Sequence, residues 1–400
     1  MDRRVTSIFP VLIMIAAAGC GGGNSPSSSP SNPPGGAVSS GKYLYVVNSV
    51  DGTISGFSIS PPGDLTRVPG SDVVTTLATP TGLAAVSSGK VYAGSSVSGH
   101  VITFSADLRT GQLSNRTFLP LVVLNAIDSF ARTNAAYLVN CGTHLFAFGE
   151  SFMLLVPGGG MKSVGWGGFA FSLNSDGSIN PNDWSGFGTG DSPPIVSNGF
   201  IDPSCQYVFH ANTAENTAVQ TTVDTAAHSM YAYQGSAAGT APVGVAADPN
   251  LKFLYVANST SNNVSVFSTD VSSGKLTPIV SSPFAAGAQP SAVIVVQTWV
   301  YVANAGDNTV SAFTRDQTTG ELTPVTGSPF QVGNMPVAFV TATTDLSHSS
   351  TGMLLYVANQ NSNNVSAFVI ESNGALRPTA GSPFAVGSGP KGMAVLVAPQ

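Results

Sequence analysis

The chain has little charge. Only 8% of its 400 residues are Asp, Glu, Lys or Arg, and the formal net charge is −6. A weakly acidic surface with few cations offers nothing to neutralise a phosphate backbone, which excludes nucleic acid as a non-specific partner. Long apolar runs are missing past residue 20, so no segment of the body has a membrane-spanning length. Cysteine is scarce, at three residues, and the five histidines are scattered, with no two His or Cys at metal-ligand spacing. The glycine runs open no helices, and motifs for a phosphate loop, a zinc site or a nucleophilic serine are absent. We therefore expect no cofactor and no metal.

What is present is a repeat. The string Tyr255-Val256-Ala257-Asn258 returns as Tyr301-Val302-Ala303-Asn304 and Tyr356-Val357-Ala358-Asn359. Each copy is followed by Phe267, Phe313 or Phe368, then by a Gly and a Leu, then by Ser-Pro-Phe from Ser282, Ser328 or Ser382. The apolar runs are β-branched and aromatic, and the Asn and Ser between them supply tight turns, so successive runs read as hairpins. Four short strands per unit, repeated, predict an all-β fold: a β-propeller with one unit per blade. Tyr45, Tyr92, Tyr137, Phe209, Tyr255, Tyr301 and Tyr356 mark the second strands of seven blades. The first blade opens directly at its second strand, residues 43–48. The terminal segment from Pro390 matches the first-strand strings at Pro80, Pro242 and Pro336. The C-terminus is thus expected to supply the missing strand and close the ring, removing exposed sheet edges.

The domain reading is a signal peptide over 1–19, a Gly/Ser/Pro tether over 20–41 and the propeller over 42–400, with an insertion at about 141–167 in blade 3. In that blade the third strand is placed at 168–173, with 145–148 as the alternative. The later strands of blade 4 fall somewhere within 218–233. The N-terminus combines Arg3 and Arg4, an apolar stretch and the small residues Ala17-Ala18-Gly19 before Cys20. The segment after it is almost wholly Gly, Ser, Pro and Asn and cannot bury enough surface to fold.

Several side chains carry candidate chemistry. His210 stands where Val256, Val302 and Val357 stand in other blades, and Glu215 follows in the next turn, so an imidazole and a carboxylate can meet there. A satisfied structural histidine is the competing reading. His144 and Glu150 fall in the insertion, which is expected to overhang the channel mouth, and Asp128 is placed in the first strand of blade 3. The recurrent Asn48, Asn140, Asn212, Asn258, Asn304 and Asn359 read as turn residues bonding their own backbone. Cys141 is placed at the exit of one second strand and Cys205 at the entrance of the next. That separates them by about 15 Å of strand, so both are expected to remain thiols.

The strings YVAN, NNVSVF, SSGKLTPI and SPFAAG resemble the YVTN-type repeats of bacterial surface proteins. They also resemble the seven-bladed lactonase family, which includes 6-phosphogluconolactonase and carboxymuconate cyclase. Ala17 to Cys20 resembles the bacterial lipobox, which implies a lipid on Cys20 and a place in the cell envelope, in the outer membrane and facing the periplasm or the surface. An ordinary signal peptide is the alternative. The resemblance implies a propeller that holds ligands at the mouth of its central channel. We expect a monomeric, lipid-anchored binding or interaction module for a small molecule, glycan or protein. The alternative is a lactone hydrolase or cyclase acting on a non-phosphorylated lactone, since mouth-side cations such as Lys162 and Lys391 are too few to clamp a phosphate. A purely structural envelope protein is the third reading.

Overall fold

The computed structural model describes residues 41–399 apart from 96, 98–99, 121, 126–128, 133–136, 150–152, 157–159, 164–166, 189–198, 203, 225–228, 233–234, 274 and 345–350. Its strands form seven four-stranded antiparallel blades and one additional four-stranded sheet. In blade 5 the inner strand is Pro242–Ala247, followed outward by Phe253–Asn258, Asn263–Asp270 and Lys275–Pro278. Blades 6 and 7 repeat the pattern from Pro290–Val296 and Pro336–Thr343.

The ring closes as the repeat predicts. Pro390–Val397 is the inner strand of blade 1 and pairs with Lys42–Asn48, Tyr43 opposite Leu396 and Val46 opposite Met393. Each blade is two-sided because side chains alternate along a strand. Tyr255 and Ala257 pack against Val300 and Val302 of blade 6, while Leu254 and Val256 pack against Phe209 and Ala211 of blade 4. The apolar surplus of the sequence is therefore spent on seams between blades.

The recurrent residues build those seams. Tyr45, Tyr92, Tyr301 and Tyr356 are fully buried, and each donates its hydroxyl to a glycine carbonyl in the next blade: Gly111, Gly177, Gly374 and Gly63 respectively. Burial pushes these phenols well above their ordinary range, so each stays a donor. The acceptor glycines have positive φ, between +77° and +114°, a backbone shape that side chains resist. Blade 4 has Phe209 instead. Opposite it, Gln220 replaces the small residue of other blades and donates Nε2 to Val271 O at 3.0 Å across the 4/5 seam. At the 5/6 seam the buried Arg315 guanidinium lies 3.8 Å from the Asp248 carboxylate, beside the Tyr255 hydroxyl.

The asparagines differ from expectation. Asn48, Asn258, Asn304 and Asn359 are wholly buried and donate Nδ2 to two side chains of the third strand, as Asn304 does to Thr309 at 3.0 Å and Ser311 at 2.9 Å. Among the set, Asn212 makes the expected local turn, accepting the Glu215 N–H at 3.1 Å. The four buried ones are cross-strand ties.

Blade 3 corrects the sequence reading. Tyr137–Cys141 is its inner strand, His144–Gly149 its second, Gly167–Leu173 its third and Ile179–Gly188 its fourth. The buried aromatic of the second strand is Phe146, not Tyr137. The third strand stands where expected, and neither placement considered for 145–148 holds, because that run is the second strand. The expected insertion at 141–167 therefore shrinks to residues 150–166. Its strands Met153–Val156 and Gly160–Ser163 pair with a second excursion, Val122–Asn125 and Ser129–Arg132, which links blade 2 to blade 3. Both excursions leave the face where inner strands begin and second strands end. We call this the mouth face.

Moving Tyr137–Cys141 inward also reverses its direction. Inner and second strands are antiparallel, so Cys141, at the end of an inner strand, comes level with Cys205 at the entrance of the second strand of blade 4. The two α-carbons are 5.7 Å apart and the sulfurs are bonded. The expectation of two thiols is overturned, since the strand length held to separate them vanishes with the corrected register.

Candidate functional site

On the mouth face, each inner strand of blades 1, 2, 5, 6 and 7 starts on a proline and shifts register one residue later, as between Pro290 and Ala292. The residues at these irregularities are Lys391, Thr81, Val243, Ser291 and Val337. Ser291 is engaged, its hydroxyl 2.6 Å from the Pro336 carbonyl oxygen. Lys391 is the exposed cation of the set, and Arg67, also exposed, is paired with Asp72 at 3.0 Å. Among the described mouth-face side chains, so few free cations suit a neutral ligand better than a phosphorylated one.

His210 is buried at 3% exposure in the second strand of blade 4, on the same strand face as Val208, which packs with Phe146 and Ala170 of blade 3. Burial pushes its imidazole down from 6.5 to about 4, so the ring is neutral. Glu215 is exposed on the mouth face. The register makes Glu215 the counterpart of Asp51, Ser261, Asp307 and Ser362. Each of those accepts a backbone N–H from the loop leading into its own blade: Ser388, Thr240, Ala288 and Asn334 respectively. Glu215 thus occupies a loop-anchoring position, and the loop it would hold, 189–198, lies outside the described residues.

His144 lies at the start of the second strand of blade 3, on the face opposite the mouth, with its Nδ1 3.3 Å from the Thr143 hydroxyl. Glu150 and Asp128 lie outside the described residues. The strands flanking Asp128 belong to the additional sheet, not to the first strand of blade 3 as expected. His144 therefore lies on the face opposite Glu215, and the pairings that need Glu150 or Asp128 rest on residues outside those described. Among the described residues, no three His, Cys, Asp or Glu side chains gather as a metal-holding cluster.

One mouth-face residue was passed over. His100 starts the third strand of blade 2 and is exposed, at the place where Thr53, Asn263, Thr309 and Asn364 sit in other blades. The signal was available: Gly99-His100-Val101-Ile102-Thr103-Phe104 aligns on Asn262-Asn263-Val264-Ser265-Val266-Phe267. Blade 2 also has Ser95 in place of the buried Asn.

A concavity lies on the opposite face at the seam of blades 3 and 4. It is a cleft of about 680 Å³ whose lining includes Gly142, His144, Cys205, Tyr207 and Asp224.

Ring, blade number and closing strand together define a seven-bladed β-propeller. Residues 196–295 and 280–391 match the family described as lactonase, 7-bladed beta-propeller. The fold is shared with a periplasmic gluconolactonase of Pseudomonas aeruginosa, at a TM-score of 0.66 and 17% identity, over 90% of this chain and 100% of that one. A candidate 6-phosphogluconolactonase from Bacteroides uniformis is alike to the same degree, at 0.66 and 17% over 90% and 100%. Its counterpart from Bacteroides fragilis also gives 0.66 and 17%, over 90% and 99%. No curated protein matches the chain in sequence.

Proposed function

We propose that this protein is a lactonase-like hydrolase acting on a non-phosphorylated lactone at the mouth of the propeller channel. The observation that carries this reading is the match of blades 4 to 7 and the closing strand to the lactonase family, on a ring of the same fold as two candidate 6-phosphogluconolactonases. It favours hydrolysis over the non-catalytic binding module expected from the sequence. Lactone opening needs a water made nucleophilic by a base and a positive group near the carbonyl oxygen. The described mouth face offers His100 as the base and Lys391 as the cation. In that scheme His100 takes the water proton as the oxygen attacks the acyl carbon, then returns it to the ring oxygen, which leaves as the hydroxyl of the opened hydroxy acid.

The protein is further proposed to be exported and anchored through a lipid on Cys20. The Cys141–Cys205 bond supports an oxidising compartment.

Incubation of the purified chain with neutral aldonolactones, read by acid release, tests the activity. Turnover that falls at least tenfold in His100→Gln supports the reading. Absence of turnover by a folded ring, with retained binding of a sugar or peptide, would return the protein to the binding class. Mass spectrometry of the mature N-terminus tests the anchor, and a free amino terminus at another residue would remove it.

A further inference from the structure

Six seams of the ring are tied without covalent bonds: four by tyrosine hydroxyls, one by Gln220 and one by the Arg315–Asp248 pair. The seam between blades 3 and 4 is different. Phe146 has no hydroxyl to give, and the apolar cluster there, among the described residues, is Cys141, Phe146, Ala170, Ile201, Val208 and Val223, with Val139 and Cys205 packed against it. The Cys141–Cys205 disulfide joins the two blades covalently, across a sequence separation of 64 residues.

The two sulfurs are not equally reachable. Cys141 is 6% exposed and sits within the seam cluster, whereas Cys205 is half-buried and lines the open cleft with His144, Tyr207 and Asp224. An attacking thiolate must approach one sulfur in line and expel the other, so exposure decides which is struck. The Cys141 sulfur also lies 3.2 Å from the Asp202 carbonyl oxygen, an acceptor for the hydrogen of a released thiol.

We propose that the Cys141–Cys205 bond is a reducible clasp on the 3/4 seam, opened by a dithiol protein that docks in the cleft and attacks Cys205. In the first step the partner's thiolate bonds to the Cys205 sulfur, the disulfide breaks, and Cys141 leaves with the electron pair and takes up a proton. In the second step the partner's other thiol attacks the mixed disulfide, frees Cys205 as a thiol and leaves the partner oxidised. Two electrons pass from the dithiol to the clasp. Opening loosens the seam from which the blade 3 excursion rises over the mouth face, so the redox state of the compartment sets the rigidity of the mouth. This holds whether or not the mouth hydrolyses lactones.

The test uses the oxidised full chain. Brief exposure to glutathione, acid quenching and peptide mapping should find the mixed disulfide on Cys205. Native-state treatment with dithiothreitol should lower Tm by about 5 °C or more, because the constraint on the unfolded chain is lost. Amide exchange should rise in Tyr137–Cys141 and Tyr207–Asn212 while Trp299–Asn304 stays protected. The double variant Cys141→Ala/Cys205→Ala should melt like the reduced protein and ignore dithiothreitol. Should that variant not fold, the reduced parent still gives the answer. Glutathione found on Cys141, a bond that resists dithiothreitol in the folded protein, or reduction that leaves both melting and exchange unchanged would each overturn the proposal.

Discussion

The hydroxyl of Tyr356 donates to the carbonyl of Gly63 at 3.0 Å, although 293 residues separate them in the chain. This bond spans the 7/1 seam beside the closing strand. Tyr356→Phe removes one buried hydrogen bond and leaves a carbonyl unpaired, which should cost about 1 to 2 kcal/mol. The shape is tolerated, since Phe146 and Phe209 already occupy this position in blades 3 and 4. Urea denaturation of the variant measures the loss. A midpoint equal to that of the parent would show that the ring gains nothing from this tie.

Deletion of residues 390–400 should be far more damaging than deletion of 21–40. The first strips the inner strand from blade 1 and exposes the edge of Lys42–Asn48, whose residues Leu44 to Val47 are fully buried. Thermal melts compare the two. A C-terminal deletion that melts like the parent would refute closure.

Asp248 and Arg315 should respond unequally. Asp248 accepts the N–H groups of Lys252 and Phe253 at 2.7 and 2.6 Å, besides facing the guanidinium. Asp202 holds the same turn in blade 4, accepting from Gln206 and Tyr207 at 2.8 and 2.6 Å. Asp248→Ala strands a buried cation and frees the turn, at a cost of about 3 kcal/mol or more. Arg315→Ile, the residue found at the equivalent Ile370, should cost less than Asp248→Ala, because the carboxylate keeps its two backbone partners. Equal losses in denaturant titrations would contradict this.

His210 makes stability depend on pH. Its folded-state value of about 4 lies below the ordinary 6.5, so the unfolded chain takes the proton first. The contribution of the neutral ring is complete above pH 6.5 and is lost as pH falls from there towards 4. Between pH 7 and pH 5 this amounts to about 2 kcal/mol. His210→Val should flatten that dependence, as the valines of the other blades already show the position accepts. A variant with the parent's slope between pH 7 and pH 5 would remove the effect from His210.

The ring was legible because every blade repeats the same strand and turn residues, and Pro390 declared its own role by matching Pro80, Pro242 and Pro336. Blade 3 misled for a physical reason. Inner and second strands are both short apolar runs ending near a turn, and Tyr137-Leu138-Val139-Asn140 imitates Tyr255-Val256-Ala257-Asn258 closely enough to be taken for it. One hairpin's error reverses strand direction, and with it the distance between Cys141 and Cys205 and the face on which His144 lies. His210 drew notice as an oddity yet is buried, whereas His100 replaces a Thr or Asn at an exposed position. The partnership between the 122–132 and 153–163 excursions had no local signature, because pairing across a blade is decided by topology.

The ratio of kcat/KM for a neutral aldonolactone to that for its 6-phosphate, measured on one preparation, bears on substrate and site together. A mouth with Lys391 exposed and Arg67 already paired predicts a preference of at least about tenfold for the neutral lactone. In Lys391→Met that kcat/KM should fall by about 10- to 100-fold while Tm holds, since the side chain is exposed. Preference for the phosphorylated lactone, or no turnover of either by a ring with an intact melt, would contradict the proposed function.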